Sequence, residues 1–97
     1  MHTLTDITAT LEEQLPNLRS TFGVDELGIF GSFVSGEQTD DSDLDVLVTF
    51  SKRPTLILLS ALKHHLEDAL NMKVDVVMRD TIKQYIAPYI LREVQYL

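Results

Sequence analysis

DLDVLVTF, residues 43–50, is the segment that decides the architecture. Side chains alternate between the two faces of a strand, so Leu44, Val46, Val48 and Phe50 point one way and Asp43, Asp45 and Leu47 the other. One fully apolar face predicts a strand lying on a core. The opposite face carries two neighbouring carboxylates. Just upstream the acid becomes denser: Asp40, Asp41, Asp43 and Asp45 fall within six positions. Like charges this close repel, and a carboxylate turned toward apolar surroundings is costly unless something neutralises it. The cluster is therefore either a solvated turn running into a strand or a negative field that holds a cation. Asp40 and Asp41 read as turn or cap residues.

Working outward, residues 73–78, KVDVVM, repeat the pattern, with Val74, Val76 and Met78 on one face and Asp75 and Val77 on the other. Glu26 to Phe30 reads as a short strand that ends at Gly31-Ser32. Leu4, Ile7, Leu11, Leu15, Leu18 and Phe22 recur at helical spacing, with Thr3 or Thr5 as cap and Gly23 as stop. Pro16 lies inside that pattern and predicts a kink or a split. A second helix opens at Pro54, shows the stripe Leu58, Leu59, Leu62, Leu66, Ala69 and Leu70, and stops at Asn71. A last helical region covers about Thr81 to Leu97, interrupted at Pro88. The order helix, strand, strand, helix, strand, helix predicts an α+β fold, a small mixed sheet with helices packed on one face. No repeat or linker divides the chain, so residues 1–97 are expected to form a single domain.

Composition narrows the function. The chain is 44% hydrophobic, which argues against disorder, and has 8 Lys+Arg against 15 Asp+Glu, a net charge of −7. That balance disfavours direct binding to nucleic acid or to an anionic membrane. A nucleotide held through a divalent cation remains open, because the metal brings the positive charge locally. The absence of cysteine rules out disulfides and thiolate metal sites. With neither a signal-peptide pattern nor an apolar run of spanning length, a cytoplasmic location is expected.

The chemistry follows from the spacing. Asp43, Asp45 and Asp75 can converge on the uncovered face of the sheet. Mg²⁺ prefers oxygen ligands and is usually held by one or two carboxylates together with substrate phosphates. Metals bridged by aspartates suit in-line displacement at phosphorus, and a third aspartate can take the proton of the attacking hydroxyl. Gly31 lets backbone approach a phosphate, and Ser32 offers a hydroxyl and amides to an anion. His64 and His65 have no spaced partner for a metal site, and His2 is terminal. Tyr85, Tyr89 and Tyr96 read as packing or interface residues, with apolar surface near Ile86, Tyr89 and Ile90 available to a partner.

Taken together, FGSFVSGE followed by DSDLDVLV and later KVDVV resembles the polymerase-β nucleotidyltransferase superfamily, and most closely its minimal nucleotidyltransferase branch, from about Leu27 to the end. The resemblance implies that Gly31 and Ser32 contact nucleotide phosphates. It also implies that Asp43 and Asp45 are metal ligands and that Asp75 is the third carboxylate. By the same resemblance the chain is the antitoxin of a toxin–antitoxin pair. It would use Mg²⁺ to transfer AMP from ATP to a tyrosine of a HEPN-domain ribonuclease toxin, with which it would form a hetero-oligomer. Many relatives carry an arginine between the Gly-Ser pair and the next glycine, where this chain has Phe33, Val34 and Ser35; Arg53, Lys73 and Arg79 are the available substitutes, although surface placement explains each of them. The alternative is an antitoxin that neutralises by binding alone, its acidity opposing the basic RNA path of a ribonuclease. A different acceptor, such as a small alcohol or an RNA end, suits the chain less well, for it shows no second domain and is acidic.

Overall fold

A computed structural model describes residues 3–39 and 41–97; the turn assignment of Asp40 and the position of His2 lie outside the described residues. The elements in chain order are α1 (Leu4–Phe22), β1 (Val24–Phe30), α2 (Ser32–Ser35), β2 (Leu44–Phe50), α3 (Leu56–Leu70), β3 (Val74–Met78), a 3₁₀ turn (Arg79–Thr81), α4 (Ala87–Glu93) and β4 (Gln95–Tyr96).

β2 is the middle of the fold. It pairs antiparallel with β1, setting Leu27 against Val48, Ile29 against Val46 and Phe30 against Asp45. On its other side it pairs parallel with β3, setting Leu44 against Val74, Asp45 against Asp75 and Val46 against Val76. The sheet order is β3-β2-β1-β4 and the sheet is mixed. Cross-strand partners share a face. Leu27, Ile29, Leu44, Val46, Val48 and Val74 therefore form one apolar surface, and all are buried. Ile7, Leu11 and Leu18 of α1 and Leu62, Leu66 and Leu70 of α3 close over it in one cluster, with Leu4, Leu15, Phe22 and Phe50 packed at its margin. The periodicities of both helices and the alternation of β2 are thus realised as expected.

The opposite face carries Asp45 and Asp75 but is not bare. Leu47 is fully buried there, and the chain's last residues return across the sheet to pair Tyr96 with Gly28 of β1. A Cβ on Gly28 would stand 2.6 Å from Val94 Cγ2, so a glycine is required where this segment crosses. The expectation of an uncovered face needs that correction.

Helix ends follow their capping chemistry. Thr3 Oγ1 accepts from the Asp6 amide at 3.1 Å, and Gly23 (φ 72°) closes α1 by donating to the Leu18 carbonyl. α3 is capped by Thr55, whose Oγ1 accepts from the Leu58 amide at 3.1 Å, and not by Pro54; Asn71 in the left-handed conformation ends it. Two proline readings are corrected. α1 runs unbroken through Pro16. Pro16 and Glu12 are both on the exposed side, so the carbonyl that loses its helical donor faces water. Pro88 does not interrupt a helix; it stands in the first turn of α4, where its missing N–H is harmless. The residues before it are loop and turn, and those after α4 are a strand. Among the described residues no helix is long and apolar enough to cross a membrane.

Candidate active site

Because β1 runs against β2 while β3 runs with it, the end of β1 and the starts of β2 and β3 meet at one edge of the sheet. Gly31 follows β1 directly, Asp43 directly precedes β2, and Asp45 has Phe30 on one side and Asp75 on the other. The Leu44 amide donates to the Lys73 carbonyl at 3.0 Å, extending the ladder to this corner. Four of the five residues singled out by sequence, Gly31, Asp43, Asp45 and Asp75, are brought together here, and Ser32 adjoins them as the first residue of α2.

Gly31 is built into the Asp45 side chain. Its backbone sits at φ 82°, ψ −152°, which disfavours a side chain, and a Cβ there would run into the Asp45 carboxylate oxygen. The Gly31 carbonyl accepts the Val34 and Ser35 amides at 3.0 and 3.1 Å, starting α2, and its own amide donates to Glu93 Oε1 at 2.8 Å. Glu93, the last residue of α4, is a member of this corner that sequence reasoning missed. It belongs to no motif, and its arrival depends on the chain doubling back to form β4.

The corner is electrostatically negative. Burial first, and then the nearby carboxylates of Asp75, Asp43 and Glu93 in that order, together push the Asp45 carboxyl up to about 6. Asp45 is half-buried, whereas Asp43 and Asp75 are exposed. β3 is an edge strand, so Asp75 stands at the rim. Among the described residues no three acidic or imidazole side chains are drawn close enough to surround a metal ion by themselves. In kind, the donors suit Mg²⁺: they are carboxylate oxygens whose mutual repulsion a cation would relieve, and Mg²⁺ is usually held by one or two carboxylates together with phosphate oxygens and water.

The structure also sorts the basic residues. At about 3.3 Å per strand residue, Arg53 and Arg79, which follow β2 and β3, lie at the far end of the sheet from Asp45, whereas Lys73 directly precedes β3 at the carboxylate end. Lys63 of α3 lines a shallow cleft together with Asp75. In α2, Phe33 is buried and Val34 packs on the core, leaving Ser35 exposed. His65 links the two large helices, its Nε2 2.8 Å from Gln14 Oε1 and its ring 5.3 Å from that of Phe22, and is structural. Tyr85, Tyr89 and Tyr96 are exposed, as are Ile86 and Leu91.

With this geometry in place, comparison with known proteins is informative. The chain matches the nucleotidyltransferase domain over residues 11–97. It is 44% identical over 97 residues to the protein adenylyltransferase MntA of Thermococcus cleftensis, covering 100% of this chain and 98% of that protein. A solved structure assigned as a minimal nucleotidyltransferase is similar with a TM-score of 0.84 and 34% identity, over 99% of this chain and 97% of that one. A toxin–antitoxin structure with AMP-PNP has the same fold, with a TM-score of 0.72 at 22% identity over 88% of this chain and 70% of that one.

Proposed function

This chain belongs to the nucleotidyltransferase domain family, and on that premise we propose that it transfers AMP from ATP to a tyrosine hydroxyl of a partner HEPN ribonuclease toxin, neutralising it. The single observation that carries the reading is the closeness of Gly31 to Asp45, which in turn stands beside Asp75 in the sheet. A phosphate-binding turn and a pair of carboxylates are the two halves of a nucleotidyl-transfer site. A relative adenylylates proteins and matches this chain from end to end, which favours a protein acceptor.

In this reading Asp43 and Asp45 are the principal metal ligands, and Asp75 is the third carboxylate. Mg²⁺ bound there supplies the positive charge that the α-phosphate and the departing pyrophosphate need. The Gly31 amide and Ser32 hydroxyl hold phosphate oxygens and orient the chain of phosphates. Asp75, exposed on the edge strand, receives the proton of the tyrosine hydroxyl as its oxygen bonds to the α-phosphorus and the bond from that phosphorus to the bridging oxygen breaks. Its place at the rim lets a folded protein present the hydroxyl, and no enclosed acceptor pocket is needed.

Intact mass spectrometry of a HEPN-domain partner, incubated with this chain, ATP and Mg²⁺, tests the proposal, with an Asp43→Asn/Asp45→Asn double variant as control. The expected result is a gain of whole adenylyl units that the double variant does not produce. An unmodified partner that nevertheless forms the same stable complex with both chains would establish neutralisation by binding alone.

A further inference from the structure

The Gly31 amide is already engaged. It donates to Glu93 Oε1 at 2.8 Å, across 62 positions of sequence. A carboxylate oxygen on a backbone N–H is the same class of contact that a phosphate oxygen makes, charge-assisted and short. The space is confined on the other side, because Gly31 lies directly against the Asp45 carboxylate. An anion on this amide therefore sits beside Asp45 whichever molecule provides it. Glu93 is exposed, and its backbone is secured independently: the Val94 amide donates to the Ile90 carbonyl at 3.0 Å, and the following residues pair in β4. Its side chain can swing away without unfolding α4.

We propose that Glu93 is an internal stopper of the nucleotide site: its carboxylate occupies the Gly31 amide in the free protein and gives that amide up to a phosphate oxygen of a nucleoside triphosphate. This rests on the nucleotide reading of the Gly31-Ser32 turn given above. The stopper adds a negative charge to a corner that already holds Asp43, Asp45 and Asp75, so it opposes a polyphosphate by repulsion as well as by occupancy. When the competent state is only part of the population, apparent affinity falls by that fraction. The stopper thus makes nucleotide binding weaker than the site's own contacts would allow.

The test is calorimetric titration of AMP-PNP with Mg²⁺ into the full chain, its Glu93→Gln variant and its Glu93→Ala variant. Glutamine keeps the shape and a neutral acceptor, while alanine removes both. The dissociation constant should fall by roughly three- to tenfold in Glu93→Gln and by at least as much in Glu93→Ala, the scale of an exposed charged contact. A wild-type measurement needs no variant to fold: the carboxyl-carbon NMR resonance of Glu93 should shift as nucleotide saturates the chain. Binding by wild type with an unmoved Glu93 resonance, or with equal or weaker affinity in both variants, overturns the stopper and leaves the nucleotide reading standing. Absence of binding in all three chains overturns the nucleotide reading, and the stopper with it.

Discussion

Asp45 carries a carboxyl pushed up to about 6 from 3.8 by burial and by Asp75, Asp43 and Glu93. An acid raised in this way keeps a proton in the native state that the unfolded chain releases, so its contribution to stability is full below about pH 3.8 and is lost as pH rises through about 6. Asp45→Asn removes the titration. The variant should match wild type near pH 4 and exceed it at pH 7 by about 1 kcal/mol, less than the full shift because the half-buried carboxylate is partly screened. Urea melts across that range measure the difference, and parallel curves for the two proteins would refute it. Gly31 makes a second prediction at this scale. Gly31→Ala adds a Cβ against Asp45 at a backbone angle that already disfavours one. It should cost about 1–3 kcal/mol in thermal melts and abolish AMP-PNP binding while the far-ultraviolet spectrum stays native. The carboxylates and the glycine-serine turn were legible in the sequence because each stands in or beside an alternating strand. Glu93 was not, since nothing local marks a residue whose partner is 62 positions away.

At the scale of elements, the helices are decided by their ends as much as by their stripes. Thr55 caps α3 through the Leu58 amide. Thr55→Ala should lower stability by about 1 kcal/mol, whereas Leu66→Ala, which empties a fully buried position, should lower it by about 2–5 kcal/mol. Denaturant midpoints of the two variants rank the effects, and reversal of that order would mean that α3 owes more to its cap than to the core. The same contrast explains what sequence reasoning resolved. β2 and β3 are read correctly within a residue because their alternation is driven by a core on one face. The last helical region is right for α4 but misread at both ends: residues 82–86 are loop and turn, and two extended residues, Gln95 and Tyr96, owe their strand to β1 and not to any pattern of their own. Pro16 is misread for the opposite reason: a local rule against proline in helices is outweighed by Ile7, Leu11 and Leu18, which anchor α1 on both sides of it.

For the whole molecule, the net charge of −7 sets the terms on which a nucleotide can approach. A free triphosphate and an acidic protein repel, and the corner where they would meet is the one in which Asp45 feels Asp75, Asp43 and Glu93. Mg²⁺ alone finds carboxylates not arranged to enclose it, and AMP-PNP alone finds a negative field. Neither should raise the melting temperature appreciably. Together, phosphate oxygens and carboxylates would both be available to the metal, so the pair should stabilise the fold by about 2.7 kcal/mol when free Mg²⁺–AMP-PNP is at a hundred times its dissociation constant. In a chain of this size that is an upward shift of roughly 10 °C or more. Sodium chloride at matched ionic strength provides the control, since it screens the general repulsion but fills no site. A stabilisation that needs both components and disappears in the Asp43→Asn/Asp45→Asn variant assigns the effect to the carboxylates at the start of β2. An equal stabilisation by salt would assign it to the charge of the whole surface, and the metal would then have no place in the account.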